Sequence, residues 1–375
     1  MEHYLDNSAT TKVSEKAADK AYRIMTKTYG NPSSLHRMGL DAENELRLAK
    51  KTVARCLGAS EDEVFFTSGG TEANNLALFG TAYSNVRRGK KLVVSAVEHS
   101  SVIEAAKRLE AEGFTVEYIT PRSDGKISPD DVEAAVDRET VLVSVMCVNN
   151  ETGAINPVAE IFEAARSKNP SVVCHTDAVQ AFGKTEIKAR RLGADLISVS
   201  AHKVHAPKGC GAIYIKKGIR LVSRQYGGEQ EKKIRPGTEA LPSIAAFGVA
   251  CGEFDIDENY KLISELNSYA REKLSAIDGV VFNSPEDALP YVLNVSAGRV
   301  RSEIMLHFLE ERGVFVSSGS ACAKGKPSYV LGAMGVDRQR ADSALRISFS
   351  KYSTADDVDA LCEGIAQGLG LLAHR

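Results

Sequence analysis

Polar residues suited to catalysis follow two short apolar runs near the middle of the chain. Asp177 and Gln180 come after the run 171–174, and Ser200, His202 and Lys203 come after the run 195–199. Short runs that are rich in β-branched residues and bounded by polar ones are typical of buried strands in a parallel sheet. Because open α/β sheets bind ligands at the carboxyl ends of their strands, we expect these five side chains to meet in one crevice.

A lysine and an aspartate in such a crevice point to a particular cofactor. Burial or a nearby cation lowers the pKa of a lysine and prepares its amine to form a Schiff base, which is the role predicted for Lys203. A carboxylate such as Asp177 is the partner that a protonated pyridine nitrogen needs, so the pair predicts pyridoxal 5'-phosphate. His99, which follows the apolar run 92–97, is expected to stack on the pyridine ring. Taken alone, Lys203 has an alternative interpretation as a surface residue at a strand end.

A glycine pair between a strand and a helix predicts a site for the phosphate. The run 64–67 leads into Gly69, Gly70 and Thr71, and an Ala- and Leu-rich helical pattern follows. Backbone N–H groups there approach an anion without obstruction by Cβ atoms, and the helix dipole favours negative charge. The spacing matches neither a Walker loop nor a dinucleotide-binding fingerprint, and a tight turn without a ligand would have the same sequence.

Strand and helix patterns alternate over the first two thirds of the chain. The strand patterns are 92–97, 115–119, 141–148, 171–174, 195–199 and 211–215, and the helical patterns between them include 101–112, 129–136 and 158–167. This alternation predicts a three-layer α/β/α domain with a mostly parallel sheet. A long helical region, 241–274, then leads to a smaller α+β domain. We predict a large domain of residues 14–257 and a small domain of residues 1–13 and 258–375.

Composition and charge exclude several classes of protein. With 43% hydrophobic residues, 26% charged residues and a net charge of -2, the 375-residue chain has no electrostatic reason to bind nucleic acid or an anionic membrane. No apolar stretch approaches the ~20 residues that span a bilayer, and the N-terminal residues lack the features of a signal peptide. The seven cysteines are scattered without a Cys-x-x-Cys pair, so we expect a reduced, cytoplasmic protein with no metal site. Cys147 and Cys174 lie in strand patterns and are expected to be core residues.

Eight longer motifs add to these observations. They occupy residues 30–36, 66–75, 148–153, 175–180, 200–203, 207–209, 235–238 and 318–322. These motifs and their order resemble the cysteine desulfurases of the NifS/IscS type, and the resemblance runs from Tyr4 to the last predicted helix.

The resemblance implies a pyridoxal-dependent transferase of fold type I, related to the class V aminotransferases, that acts as a homodimer. In such a protein Lys203 carries the cofactor, Asp177 pairs with its pyridine nitrogen and His99 stacks on its ring. Gln180 and Asn150 contact the side of the cofactor that bears the phenolic oxygen. The phosphate is held by Gly70, Thr71, Ser200 and His202, and by Thr238 of the partner subunit.

Two further residues are assigned to the substrate by the resemblance. Arg346 binds the substrate carboxylate through its bidentate guanidinium, with Asn150 beside it. Cys322 lies among small, polar and turn-forming residues and next to lysines, a pattern that predicts an exposed loop and thiolate character. The implied reaction converts L-cysteine to L-alanine. Lys203, with His99, moves the Cα proton, and the Cys322 thiolate takes the substrate sulfur as a persulfide.

Other functions stay open at this point. Another class V pyridoxal enzyme, such as a serine–glyoxylate aminotransferase or a kynureninase, shares Lys203, Asp177 and the phosphate turn but does not need Cys322. A selenocysteine lyase would use the same residues. A non-catalytic scaffold that binds sulfur-transfer proteins has no need for Lys203, Asp177 and His99.

The acceptor of the sulfur is not identified by these motifs. The resemblance implies an iron–sulfur scaffold protein, a tRNA-thiolating enzyme or a thiamine-pathway carrier. Only four residues separate Cys322 from Pro327, fewer than in housekeeping members of the family, and a shorter loop reaches less far. Ala206 and Glu229 stand where the family commonly has glycine.

Overall fold

One large sheet dominates the part of the chain that the computed structural model describes, residues 2–318 and 328–372. In chain order the strands of these residues are β1 (His3–Tyr4), β2 (Val64–Thr67), β3 (Lys91–Ser95), β4 (Thr115–Ile119), β5 (Thr140–Ser144), β6 (Val173–Asp177), β7 (Leu196–Ser200), β8 (Gly211–Ile215), β9 (Val280–Phe282), β10 (Val292–Ala297), β11 (Val314–Phe315) and β12 (Ala344–Ser348). Seven of them form the large sheet, in the order β2-β8-β7-β6-β5-β3-β4. Neighbours from β7 to β4 are parallel, whereas β8 is antiparallel to both β7 and β2. The prediction of a mostly parallel sheet is confirmed.

Helices cover both faces of this sheet. In chain order, the α-helices of the described residues are α1 (Glu15–Thr26), α2 (Arg37–Leu57), α3 (Gly70–Ser84), α4 (Ser100–Ala111), α5 (Pro129–Ala135), α6 (Val158–Lys168), α7 (Ala189–Leu192), α8 (Leu241–Gly252), α9 (Ile256–Ser275), α10 (Ser302–Glu310), α11 (Tyr329–Ala333), α12 (Arg338–Asp342) and α13 (Ala355–Leu371). Within the described ranges, no helix combines the length and the apolar character required to cross a bilayer.

The strand sequences explain the three layers. Leu92 and Val94 of β3 belong to the buried cluster that includes residues of α3 and α4, whereas Val93 belongs to the cluster on the side of α5, α6 and α8. Successive side chains of a strand point to opposite faces of a sheet, so a strand covered on both faces needs apolar residues at consecutive positions. The predicted α/β/α arrangement is confirmed.

Two smaller sheets are formed by the N-terminal residues and the later strands of the chain. β12, β10 and β9 form an antiparallel sheet, and β1 pairs in parallel with β11. Asp6 forms a bridge with Ser348 at the end of β12. The N-terminal residues therefore contact strands that lie some 300 residues later in the chain. The domain boundaries proposed above stay a prediction.

Several element boundaries differ from the sequence predictions. The long helical region predicted for residues 241–274 consists of two helices, because α8 ends at Gly252 and Asp255 begins α9 by accepting a hydrogen bond from the Glu258 N–H at 3.2 Å. The strand predicted for residues 141–148 ends at Ser144. Asp177 is the last residue of β6 and does not lie beyond it. Cys147 and Cys174 are buried as predicted.

Candidate active site

Two neighbouring strands carry the predicted cofactor residues. β6 and β7 are parallel, and Asp177 at the end of β6 is opposite Ser198 of β7. Lys203 ends a short 3-10 turn, Ala201–Lys203, that directly follows β7. Because parallel strands end at the same edge of a sheet, the register places Asp177 and Lys203 at one edge, as the sequence predicted.

Asp177 is buried and receives hydrogen bonds from two N–H groups. The Asn74 Nδ2 group donates to its Oδ2 at 2.7 Å, and the Val179 backbone N–H donates to its Oδ1 at 2.9 Å. Asn74 lies one turn into α3, which packs across β6 and β7. The carboxylate thus serves as an acceptor on the protein side, as an anionic partner for a cationic ring would.

The turn after β1 closes the site on the side of Lys203. The Lys203 amine donates to the carbonyl oxygens of Ser8 and of Ala9, the latter at 2.9 Å. Nδ1 of His202 lies 3.2 Å from Oγ1 of Thr10. Burial, followed by the positive charges of nearby lysines, lowers the pKa of His202 to about 4, so its imidazole is neutral at physiological pH.

Gly211 allows the predicted phosphate turn, Gly69 to Thr71, to lie next to the end of β7. Thr67 at the end of β2 and Ser200 at the end of β7 both pair with Gly211, the first residue of the antiparallel β8. A Cβ atom on Gly211 would lie 2.7 Å from Cα of Gly69 and 2.7 Å from the carbonyl oxygen of Val199. Only glycine permits this approach, which brings the two strand ends together.

The turn itself has the features of an anion site. A Cβ atom on Gly70 would lie 2.9 Å from Cγ2 of Val179 and 3.6 Å from Cβ of Ser200, so the backbone passes close to both residues. Gly70 and Thr71 are the first residues of α3, whose N-cap, Gly69, offers no side chain to their N–H groups. The N–H groups at such a helix start, together with the helix dipole, favour an anion.

His99 lies at the N-terminus of α4. Its Nδ1 accepts a hydrogen bond from the Ser101 backbone N–H at 3.2 Å and lies 2.8 Å from the Ser101 hydroxyl. Burial lowers the pKa of His99, the positive charges of Lys203 and Arg346 lower it further, and Asp177 opposes them. These charges surround the imidazole, so the structure brings His99 together with the cofactor residues.

Arg346 enters the site from the smaller sheet. It lies in the middle of β12 and is 2% exposed. Its guanidinium donates to Oδ1 of Asp6 at 2.9 Å and to the Asn150 carbonyl oxygen at 3.1 Å. A buried guanidinium that is oriented by the surrounding protein is suited to bidentate binding of a carboxylate.

Gln180 and Asn150 are also part of this region. The Gln180 side chain donates through Nε2 to the Ser8 carbonyl oxygen at 3.1 Å and accepts at Oε1 from the Lys184 amine at 2.9 Å. Oδ1 of Asn150 is buried and, within the described residues, has no hydrogen-bond partner in the protein. Such a buried acceptor is suited to a ligand group that donates a proton.

Of the predicted site residues that the structure describes, Thr238 is not brought into the site by this chain. Thr238 is exposed, in the segment that precedes α8, and this segment is held to α3 by a 3.0 Å ion pair between Arg235 and Glu72. Cys322 lies outside the described residues. The described residues on either side of it contact the site, because the Ser317 backbone exchanges hydrogen bonds of 3.1 and 2.7 Å with the Arg346 backbone and the Tyr329 hydroxyl donates to the Glu98 carbonyl oxygen.

Several site residues were missed by sequence reasoning. Asn74 is part of a quoted motif, but nothing in its spacing showed that its side chain reaches Asp177. Lys184 is four residues from Gln180 and buried, and burial lowers the pKa of its amine to about 7. Asp6, Ser8 and Ser101 lie in polar stretches that gave no chemical signal.

Within residues 2–318 and 328–372, no group of three or more His, Cys, Asp or Glu side chains is arranged to hold a metal ion.

Known proteins resemble this chain over nearly its whole length. The family model of class V aminotransferases matches residues 3–361. A cysteine desulfurase IscS from Methanosarcina thermophila is 38% identical over 369 residues, covering 97% of this chain and 91% of that protein. A cysteine desulfurase IscS from Proteus mirabilis is 39% identical over 379 residues, covering 98% and 93%.

Solved structures agree with these relatives. A NifS-like protein superposes with a TM-score of 0.95 at 36% identity, covering 99% of this chain and 100% of that one. A structure described as SspA in complex with cysteine superposes with a TM-score of 0.84 at 33% identity, covering 94% and 100%. These neighbours have the fold type I architecture of pyridoxal-dependent enzymes, as predicted. The chain therefore belongs to the class V aminotransferase family, as a cysteine desulfurase of the NifS/IscS type.

Proposed function

We propose that this enzyme removes the sulfur of L-cysteine with pyridoxal 5'-phosphate bound at Lys203, transfers the sulfur to Cys322 and releases L-alanine. The observation that carries the proposal is the placement of Lys203 and Asp177 at the ends of the adjacent parallel strands β7 and β6, beside the helix start at Gly70. Few other cofactors need an amine, a carboxylate and an anion site in one crevice.

The residues present fit pyridoxal 5'-phosphate. Asp177 would accept from the pyridine nitrogen, and the backbone of Gly70 and Thr71 would hold the phosphate. Ser200 and His202 lie on the adjacent strand end and would complete the phosphate site. Gln180, whose Nε2 is a donor, and Asn150 would contact the side of the cofactor that bears the phenolic oxygen. When bound, the cofactor supplies an electron sink that weakens bonds at Cα and Cβ of an amino acid.

The substrate is oriented by Arg346. The guanidinium is buried and already held by Asp6 and the Asn150 carbonyl, so it loses little side-chain entropy when a carboxylate binds. The Lys203 amine, once it no longer holds the cofactor, is the group available to move the proton of the substrate Cα. His99, surrounded by the charges of the site, is the second group that holds a proton nearby.

Sulfur transfer requires a thiol outside the packed core. Of the seven cysteines, five that the structure describes have thiol pKa values raised by burial: Cys147, Cys174, Cys210, Cys251 and Cys362. In the proposed step the carbon–sulfur bond of L-cysteine breaks and a sulfur–sulfur bond to Cys322 forms. L-cysteine and the Cys322 thiol thus give L-alanine and a Cys322 persulfide, and no external oxidant is needed.

We also infer that the enzyme is a homodimer. Large apolar side chains are exposed on α1, on α2 and on the segment that joins them: Tyr22, Met25, Tyr29, Leu35, Leu40 and Leu48. Clusters of exposed large apolar side chains are typical of protein interfaces. The exposed Thr238 would then reach the phosphate site of the partner subunit. A sulfur-acceptor protein, either an iron–sulfur scaffold or a thiolation enzyme, would receive the persulfide.

One set of assays tests the reaction. Purified enzyme should absorb in the visible range as a yellow protein and should release alanine and sulfane sulfur in equal amounts from L-cysteine with a thiol present. Cys322→Ser should abolish turnover, whereas Cys56→Ser, which changes a half-buried thiol elsewhere, should not. Full turnover by Cys322→Ser would contradict the persulfide step.

A second comparison tests the cofactor assignment. Lys203→Ala should lose the visible absorbance of the bound cofactor and all turnover, whereas Lys208→Ala, an exposed lysine of the same loop, should retain both. Normal turnover by Lys203→Ala would overturn the assignment of the cofactor. Selenocysteine tested beside cysteine decides whether the enzyme is a selenocysteine lyase. Formation of a keto acid in place of alanine would indicate another class V activity.

A further inference from the structure

Four side chains form a chain of hydrogen bonds that reaches from Asp177 to His99. Nδ2 of Asn74 lies 2.7 Å from Oδ2 of Asp177 and 2.9 Å from Oγ of Ser101. Oγ of Ser101 lies 2.8 Å from Nδ1 of His99, and the Ser101 backbone N–H donates to the same nitrogen at 3.2 Å. Asn74 comes from α3, Ser101 and His99 from the start of α4, and Asp177 from β6, so the chain exists only in the folded protein.

The direction of each hydrogen bond follows from the groups involved. A carboxylate only accepts, so Asp177 fixes the Asn74 amide with its NH2 group toward the carboxylate. The second N–H of that group donates to Oγ of Ser101. A hydroxyl that accepts from Asn74 keeps its own proton for the next acceptor, which is Nδ1 of His99. Asn74 therefore donates to Ser101, Ser101 donates to Nδ1 of His99, and Nδ1 itself donates no proton.

A ring nitrogen that accepts two hydrogen bonds does not carry a proton. We propose that Ser101, oriented by Asn74 and Asp177, is a positioning residue that holds the neutral His99 imidazole in the tautomer with its proton on Nε2. The proposal rests on the proposed function, because it concerns how His99 takes part in that reaction.

Burial supports this arrangement. Asn74 and Ser101 are 1% and 8% exposed, so water does not compete for their hydrogen bonds. The lowered pKa of His99, caused first by burial, keeps the ring neutral. A neutral ring whose Nδ1 accepts hydrogen bonds from Ser101 can offer a ligand only the N–H donor at Nε2. His99 then begins the reaction as a donor of a proton, and removal of a substrate proton falls to the Lys203 amine.

The first test reads the tautomer directly. The enzyme, purified with its cofactor and with 15N in the histidine rings, gives ring nitrogen chemical shifts that distinguish protonated from unprotonated nitrogens. The signal of His99 is identified by its absence from His99→Gln. We expect Nε2 to be protonated and Nδ1 to be unprotonated in the neutral ring. A proton on Nδ1 would overturn the proposal, and this result does not depend on any variant of Ser101.

The second test measures the contribution of the hydroxyl. Ser101→Ala removes a hydrogen bond to the neutral ring, so the titration midpoint of His99 should move to higher pH by about half a unit to one unit. The acid limb of kcat/KM against pH should move by the same amount. Ser101→Thr should restore the midpoint, and Ser100→Ala, the same change one residue earlier, should leave it unchanged. An unchanged midpoint in Ser101→Ala would contradict the proposal.

The two proposals can fail separately. The ring titration requires no turnover, so an enzyme that shows the predicted tautomer and shift but does not desulfurate cysteine would retain the role of Ser101 and reject the reaction. Conversely, an active desulfurase with an unshifted titration in Ser101→Ala would retain the reaction and reject this role.

Discussion

Three basic side chains, those of Lys184, Lys203 and Arg346, lie close together in the site. Burial lowers the pKa of the Lys184 amine, and the nearby positive charges of Lys203 and Arg346 lower it further. Burial also lowers the pKa of His99, and those same two charges lower it further. Asp177 and Asp6 supply negative charge in the same region. A site with this balance suits a ligand that carries both a phosphate and a carboxylate.

Lys184 gives the first prediction, because its burial makes the stability of the fold depend on pH. Burial lowers the pKa of its amine from 10.5 to about 7 in the folded chain. Between these values the unfolded chain binds the extra proton, so this lysine destabilises the fold most below about pH 7, and the penalty disappears as the pH rises toward 10.5. Lys184→Met removes the penalty.

Denaturant unfolding at several pH values measures this effect. The stability that Lys184→Met gains over the unmodified enzyme, measured as the increase in the free energy of unfolding, should be largest near pH 6. This increase should fall by up to a few kcal/mol toward pH 10. The loss of the hydrogen bond to Gln180 lowers the stability of the variant equally at all pH values. Lys208→Met, at an exposed position, should show a difference that does not vary with pH. A constant difference for Lys184→Met would contradict the prediction.

At the scale of elements, the site depends on how closely strand ends approach one another. The antiparallel strand β8 begins at Gly211 and lies between the ends of β2 and β7. This arrangement places the start of α3 next to the residues that follow β7. The helix start is close to Val179 as well, because a Cβ atom on Gly70 would be only 2.9 Å from Cγ2 of that residue.

Gly70→Ala tests this approach. Alanine favours the helix, but its Cβ atom would overlap with Val179 and displace the turn, so the affinity for pyridoxal 5'-phosphate should fall by about tenfold. The double variant Gly70→Ala with Val179→Ala should recover most of the affinity, because it removes Cγ2. Gly252→Ala, where no atom lies within 4 Å of the added Cβ, should bind the cofactor normally. Failure of the double variant to recover would show that the overlap is not the cause.

At the scale of the whole molecule, one surface requires an explanation beyond the single chain. α1 and α2 both pack on α8. Large apolar residues are exposed on these helices and on the segment that joins them, where Leu35 is fully exposed and Tyr29 is 67% exposed. Burial of such side chains in a dimer removes apolar area from water and stabilises the assembly. The same arrangement would allow Thr238 of the partner subunit to contact the phosphate.

Negatively charged residues introduced on this surface should prevent dimer formation. Sedimentation of the unmodified enzyme should give about twice the chain mass of 40.4 kDa, whereas Leu35→Glu combined with Tyr29→Glu should sediment as a monomer at micromolar concentration, because the buried charges would lack partners. The monomer should also bind the cofactor more weakly if Thr238 of the partner subunit contributes. Leu371→Glu, at an exposed leucine on α13, is the matched control. A dimeric double variant would exclude this surface as the interface.

Local patterns predicted the elements well where periodicity was strong and poorly where a single residue ended an element. The alternation of apolar runs gave the parallel strands and the three layers. The division between α8 and α9 was missed, because the cap formed by Asp255 depends on one side chain within a continuous helical pattern. Asp177 was expected just beyond a strand, but its pairing with Ser198 of β7 makes it the last residue of β6.

The sequence by itself determined the chemistry of this protein. Strand-end positions identified Lys203 and Asp177, and the motifs identified the family. Only the tertiary structure showed which groups hold the site residues in place. Asp6 binds Arg346 although the two are 340 residues apart, and Asn74 lies between Asp177 and Ser101. The physical reason is that local patterns report which residues share an element or an edge. Which side chains from distant segments then lie within hydrogen-bond distance depends on strand order and on how the helices pack.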